Sequence, residues 1–156
     1  MELVEQKTQK MQVRKAQLAD LADIFTIEKS LFENGSYPIF VLRQFFDISP
    51  GLMWVAEADG QIVGYGQGNL LAENLTGWVL SLGVLPFHQG KGIGEELMSA
   101  LLTVMTRKGA KKIYLTVHPE NAPALKLYHK LGFEEEQREE DYYFTFSPRI
   151  RMVRRV

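Results

Sequence analysis

Val84-Leu85-Pro86-Phe87-His88-Gln89-Gly90-Lys91-Gly92-Ile93-Gly94-Glu95 is the stretch from which the rest of this chain is interpreted. An apolar, β-prone run, Gly77 to Val84, enters it. A helical pattern with Leu97, Leu101, Leu102, Val104 and Met105 on one face leaves it. Between the two lie Gly90, Gly92 and Gly94. Glycine lets the backbone approach a ligand closely. The first turn of a helix leaves N–H groups without intrahelical partners, and the helix dipole adds partial positive charge. The segment therefore predicts an anion site, most naturally for a phosphate, with Lys91 as a flexible cation beside it. The plain alternative is a glycine-rich turn with no ligand.

Two familiar phosphate motifs fail here. A Walker loop needs Ser or Thr after Gly-Lys, and Lys91 is followed by Gly92. A dinucleotide fingerprint needs a third glycine where Glu95 or Leu97 stands.

Working outward, Met11 to Arg14 predicts a short strand, and Leu18, Leu21, Ile24, Phe25, Glu28 and Leu31 fall at helical spacing. Asn34-Gly35-Ser36 with Pro38 predicts a loop, and Ile39 to Phe46 a second helix ended by Ser49-Pro50-Gly51. Leu52 to Glu57 and Ile62 to Gly66 flank Asp59-Gly60, a hairpin signal. After the long helix come a strand at Ile113 to Val117, a helix at Ala122 to Leu131 ended by Gly132, a strand from Phe133 and a last strand at Tyr142 to Phe146. This order predicts an α/β fold: a mixed sheet with at least one parallel crossover.

A second segment follows, His118-Pro119-Glu120-Asn121-Ala122-Pro123-Ala124-Leu125-Lys126-Leu127-Tyr128-His129-Lys130-Leu131-Gly132-Phe133. Asn121 suits a helix N-cap and Pro123 the first turn. Asn121 and Tyr128 are seven residues apart, hence on nearly the same helix face. A tyrosine hydroxyl there can donate a proton in a cleft, or the ring can simply fill the core beside Leu127 and Leu131.

Gln89-x-x-Gly92-x-Gly94, a helix, a strand, then Asn121…Leu127-Tyr128-x-x-Leu131-Gly132-Phe133, in this order, resembles the GNAT superfamily of N-acetyltransferases over about residues 11–146. Glu28, the loop Phe32 to Tyr37 and Tyr142-Tyr143 look closest to the branch that acetylates ribosomal-protein N-terminal alanines. The resemblance implies a single domain over 1–156, with 1–10 and 147–156 as tails, and a GNAT-like sheet whose central parallel strands splay apart between flanking helices. It implies acetyl-CoA as co-substrate in that gap. Leu82, Gly83 and Val84 would pair with the pantetheine arm. Gln89, Gly90, Lys91, Gly92, Ile93 and Gly94 would hold the pyrophosphate. Asn121 would bond the pantetheine or brace its loop, and Tyr128 would protonate the departing thiolate.

The reaction needs a neutral amine, so a base must take its proton. Family glutamates that do so stand where this chain has Trp78 and Thr116, neither of which can act as a base. Alternation puts His118 on the strand face of Tyr114 and Thr116, which makes it the substitute to test beside a water chain through Thr116 or Ser81. His88 and His129 are expected at the surface, and Glu134 to Asp141 on an exposed hairpin.

The acceptor is expected to be a primary amine: a protein N-terminus, a lysine, a polyamine or a small amine. A second reading keeps the fold and makes the chain a non-catalytic acyl-CoA-binding or sensing module, which the missing glutamates favour and Tyr128 opposes. A nucleotide-binding domain is disfavoured by the two failed motifs. Of 156 residues, Lys plus Arg number 18 and Asp plus Glu 19, without the basic excess of a nucleic-acid binder. There is no cysteine, which removes disulfides, thiolate zinc sites and a thiol nucleophile and fits a reducing cytoplasm. No apolar run suits a membrane span or a signal peptide, and no ligand cluster suits a metal. Arg149, Arg151, Arg154 and Arg155 are expected in a solvated tail. A monomer or weak homodimer is expected, with Leu70-Leu71 and the last strand as surfaces for pairing.

Overall fold

The computed structural model describes residues 10–156. In chain order they form β1 (Met11–Lys15), α1 (Leu21–Phe32), α2 (Ile39–Ile48), β2 (Met53–Ala58), β3 (Gln61–Leu71), β4 (Thr76–Val84), α3 (Ile93–Arg107), β5 (Lys112–Val117), α4 (Ala122–Lys130), β6 (Glu134–Glu139) and β7 (Arg149–Arg155). The strands make one seven-stranded sheet in the order β1-β2-β3-β4-β5-β7-β6. β4 and β5 are parallel, and the long helix α3 makes the crossover between them. Every other neighbouring pair is antiparallel.

Side-chain alternation sends two apolar faces to two helical layers. Val55 and Tyr65 join Ile24, Ile27 and Leu42 beneath α1 and α2. Val79, Ile113 and Leu115 join Met98, Leu101 and Met105 of α3 on the opposite face. Close approach of α3 needs the strand surface stripped of side chains: a Cβ on Gly77 would lie 2.6 Å from Met105 Sδ and one on Gly66 3.1 Å from Leu101 Cδ1. The start of α1 is tied to β1 by Arg14, whose guanidinium donates to Asp20 at 2.8 and 3.1 Å and to Glu57 at 3.0 Å.

The C-terminus corrects the sequence expectation. Residues 147–156 are no tail, because Arg149–Arg155 is β7. It runs between β5 and β6, pairing Tyr114 with Val153 and Thr116 with Arg151 on one side and Arg138 with Ile150 on the other. Ile150, Met152 and Val153 are buried, and the arginines alternate outward between them. Alternating charge and bulk is a half-buried strand pattern, and the run of arginines hid it. Tyr142 to Phe146, expected as the last strand, is a turn and offers no edge for pairing subunits. β6 is the edge instead, and its exposed Glu134-Glu135-Glu136 guards it. The N-terminal tail expected over 1–10 lies, apart from Lys10, outside the described residues. No helix of the described residues is long and apolar enough to cross a membrane, and no group of three metal-ligating side chains occurs among them.

β7 carries a direct test. A chain ending at Pro148 exposes one edge of β5, strands β6 and uncovers Leu115 and Val117. We expect it to lose the cooperative urea transition of the full chain, as followed by tryptophan fluorescence, whereas removal of a solvated tail would leave the midpoint unchanged.

Candidate active site

The parallel pair β4 and β5 does not stay paired. Only Thr76, Gly77 and Trp78 match Lys112, Ile113 and Tyr114, and both strands then continue, to Val84 and to Val117, without each other. The sheet therefore opens in a V just beyond Trp78 and Tyr114, whose rings stack 5.1 Å apart at its closed end. A cleft of about 550 Å³ lies on that face below the V, lined by Trp78, Tyr114, Lys112 and Arg151 among others. On its other edge β4 is held by β3, with Leu82 opposite Gly66, Gly83 opposite Tyr65 and Val84 opposite Gly64. The register between Gln67–Ser81 and Gly68–Val79 leaves Leu80 as an extra residue of β4, a β-bulge at the mouth of the V. Backbone groups on the open edges are unused by the sheet and stand ready for an extended ligand.

The glycine-rich turn closes the wide end of this V. Gly90 and Gly92 take φ of +77° and +81°, the left-handed region that disfavours side chains, with open space around both. Gly92 is the N-cap of α3, so the orphan N–H groups of its first turn face the turn. Gln89 braces the segment by donating its side-chain amide to the Val84 carbonyl at 2.9 Å. Lys91 sits over the Phe87 ring, 5.2 Å from its centroid. A Cβ on Gly94 would lie 3.7 Å from Leu127 and 3.9 Å from Leu82, so β4, α3 and α4 converge at one point. Left-handed glycines, orphan N–H groups and an open strand edge fit a phosphate carrying a long amide arm.

α4 brings the proposed acid to the same place. Asn121 caps it, its Oδ1 accepting the Ala124 N–H at 3.3 Å. Tyr128 is 9% exposed and packs on Phe133 in the core shared with Val117 and Leu115. Burial pushes its phenol up to about 12, so it holds its proton throughout the neutral range. Both readings of this tyrosine are therefore compatible in one residue: the ring is core and the hydroxyl keeps a proton.

The expected base lies at the end of β5. His118 stands just beyond β5, and its Nδ1 accepts the Glu120 N–H at 3.1 Å in the turn toward α4. That bond engages Nδ1 within the turn rather than directing it toward the gap between β4 and β5. The Thr116 hydroxyl lies 3.1 Å from the hydroxyl of Tyr143, and Trp78 is committed to its stack. His88, expected at the surface, is half-buried with a buried Nδ1.

A carboxylate that sequence reasoning did not place in the chemistry stands on the face of the sheet covered by α1. Glu28 of α1 is 1% exposed. Its Oε2 accepts the Tyr65 hydroxyl at 2.5 Å, its Oε1 the Tyr37 N–H at 3.3 Å, and Ser81 Oγ lies 3.4 Å away. Tyr65 and Ser81 hydroxyls are 2.8 Å apart. All these partners are neutral. Burial therefore dominates and raises the Glu28 carboxyl above its ordinary value, against the three hydrogen bonds that lower it. The same burial pushes Tyr37 up to about 12. Tyr37 donates its hydroxyl to the Leu80 carbonyl at 3.3 Å, which ties the α1–α2 loop to the bulge. Beside Ser81 in register, Gln67 is fully buried with an unpartnered Oε1. The signal in the sequence was Glu28 itself, an acid at an apolar helix position. Helical spacing alone gave it no partner.

Residues 18–133 match the model of the Acetyltransferase (GNAT) family. The chain belongs to the GNAT acetyltransferase family. It is 36% identical, with 92% of each chain covered, to an N-alpha-acetyltransferase of Sulfurisphaera tokodaii. The GNAT fold is shared with the NatC complex bound to Gag peptide and CoA (TM-score 0.86, 22% identity, 94% of this chain and 99% of that one). It is shared too with the ribosomal-protein-S18-alanine N-acetyltransferase of Escherichia coli (TM-score 0.80, 20% identity, 94% of both chains). Membership makes this GNAT protein an acyltransferase whose acyl donor is acetyl-CoA.

Glu28 also has a thermodynamic consequence. A carboxyl raised in the folded state binds more protons folded than unfolded, so stability falls as pH climbs through the window above the ordinary carboxylate value, and the cost persists at neutral pH. Glu28→Gln keeps an oxygen for Tyr65 and removes that cost. We expect a higher Tm than wild type at pH 7, with the advantage shrinking as pH falls toward the ordinary carboxylate range, in calorimetry across pH.

Proposed function

We propose that this protein acetylates the α-amine of protein N-termini by direct attack of the amine on the acetyl thioester, without a covalent enzyme intermediate. One observation carries the reading: β4 and β5 part beside the glycine-rich start of α3, with Tyr128 in the core of that face and a polar cluster of Glu28, Tyr65 and Ser81 on the other. The relative named an N-alpha-acetyltransferase supports the acceptor class. So does the chemistry. At pH 7 about a tenth of an α-amine is already neutral, against well under a thousandth of a lysine side chain, so a site without a strong exposed base suits the α-amine.

In this reading Leu82, Gly83 and Val84 extend their open edge to the pantetheine amides, and Gln89, Gly90, Lys91, Gly92, Ile93 and Gly94 surround the pyrophosphate. Asn121 holds the turn before α4. A backbone N–H at the Leu80 bulge polarises the thioester carbonyl. Tyr128 gives its proton to the departing thiolate. Burial raises a thiolate beside it as it raises the phenol, which keeps donor and acceptor matched. The alternative of a non-catalytic acyl-CoA sensor keeps the donor half and lacks the acceptor half. The polar chamber opposite Tyr128 favours the enzyme.

The test is CoA release from acetyl-CoA with N-terminal peptides, a lysine peptide, polyamines and small amines. We expect release with the N-terminal peptides above the amine-free rate. Tyr128→Phe lowers kcat by about 10²–10³ with the Kd for CoA unchanged within twofold. Gly92→Ala, strained at φ +81°, weakens CoA binding instead. Binding of acetyl-CoA without release for any of these amines would count against the α-amine reading and leave an acceptor outside the panel or the sensor.

A further inference from the structure

The family's usual base positions hold Trp78 and Thr116 here, and His118 Nδ1 is engaged by the Glu120 N–H in a turn. The amine still has to lose a proton. Among the described residues, the α1 side of the V holds one carboxylate deep under the sheet, Glu28, with two hydroxyls leading to it. We propose that Glu28, reached through the hydroxyls of Ser81 and Tyr65, takes the proton that the acceptor ammonium must lose before it attacks. This rests on the acetyltransferase reading above and adds to it the route of the proton.

The geometry sets the order of the relay. Tyr65 has one hydroxyl proton, and it lies 2.5 Å from Glu28 Oε2 and 2.8 Å from Ser81 Oγ. While Tyr65 donates to the carboxylate, Ser81 donates to Tyr65 and turns its own lone pair outward. Ser81 is only half-buried, and it stands on β4 beyond Trp78, where β5 no longer covers the strand edge. Tyr65 is fully buried, and Glu28 all but so. The chain of oxygens thus runs from the open gap inward to a single acid. No solvated path is needed.

The protons balance. The ammonium gives one proton to Ser81 Oγ as the Ser81 proton passes to Tyr65 and the Tyr65 proton to Glu28, which becomes a neutral carboxylic acid. The amine lone pair then forms the C–N bond, the C–S bond breaks, and the sulfur takes the Tyr128 proton. The second proton of the former amine returns to the Tyr128 phenolate, and Glu28 yields its own to solvent. One proton is released per acetyl group transferred. The step also removes a buried negative charge as it removes the substrate's positive one, so no net charge is left in the chamber.

The groups facing Glu28 are few. Tyr65 comes from β3, Ser81 from β4, and the Tyr37 N–H, with its ring beyond, from the loop between α1 and α2. Arg43 and Asp47 of α2 are exposed and paired with each other at 2.9 Å. The bland alternative is that Glu28 only ties α1 to the sheet. The two differ in pH dependence. Without a base the enzyme must wait for amine that is already neutral, so its deficit is greatest at low pH and fades above the α-amine pKa of about 8. A merely structural lesion has no such slope.

The experiment measures kcat/KM of the full chain with an N-terminal peptide from pH 6.5 to 9.5, for wild type, Glu28→Gln and Ser81→Ala, with the CoA Kd of each. We expect both variants to bind CoA as wild type does. Both should be slower by about 100-fold at pH 6.5 and by less than about tenfold at pH 9.5. A deficit of equal size at every pH, or rates within threefold of wild type at pH 6.5, overturns the relay. Ser81→Ala leaves Glu28 in place, so it decides the matter if Glu28→Gln does not fold. Absence of turnover by wild type itself overturns the acetyltransferase reading instead and is recognised before any variant is compared.

Discussion

Two parallel strands that stop sharing hydrogen bonds are the constraint on which this protein depends. β4 and β5 pair through Trp78 and Tyr114 and then separate. A buried strand edge with unused N–H and C=O groups is costly, because each unpaired group loses its water without gaining a partner. The fold tolerates this opening because both strands are secured elsewhere. β4 stays laddered to β3 as far as Val84, and β5 to β7 as far as Val117. An extended amide-bearing ligand can then complete the sheet, which is why binding at this place is built into the architecture rather than added by a loop.

The opening organises everything around it. α3 starts at its wide end and directs orphan N–H groups toward it. α4 packs Leu127 against that start and buries Tyr128 in the core with Leu115 and Val117. On the opposite face α1 lays Glu28 beneath Ser81, and the α1–α2 loop reaches back through Tyr37 to the carbonyl of the bulge residue Leu80. Tyr128 and Glu28 therefore lie on opposite faces of the sheet, one in the layer of α3 and α4 and the other in that of α1 and α2.

Burial tunes the groups on both sides, in the same direction and for different ends. Tyr128 is raised by desolvation and so keeps its proton through the neutral range. Glu28 is raised by desolvation and so becomes a better acceptor than an exposed carboxylate, at some cost to stability. Such a cost is tolerated in a core of this size, with α3 and the central strands burying Leu97, Met98, Leu101 and Met105 completely. A carboxylate surrounded only by neutral hydrogen-bond donors is poorly suited to holding a structure together and well suited to taking up a proton.

Local order and local chemistry were legible in the chain itself. The strand, glycine turn and helix from Gly77 to Met105, the Asn121 cap and the face shared by Asn121 and Tyr128 follow from periodicities and backbone preferences that act within a few residues. Those same local rules failed at the C-terminus, where alternating arginines concealed β7, because only its neighbours β5 and β6 make its apolar residues interior. They were silent on Glu28 for a related reason. Helical spacing shows that position to be inward, but its partners Tyr65 and Ser81 lie 37 and 53 residues away in the chain. Tertiary structure alone brought that acid and those hydroxyls together. It also placed His118 in the turn before α4, with Nδ1 accepting the Glu120 N–H. A side chain's proton chemistry is set by what surrounds it in space, and spacing along a chain does not carry that information.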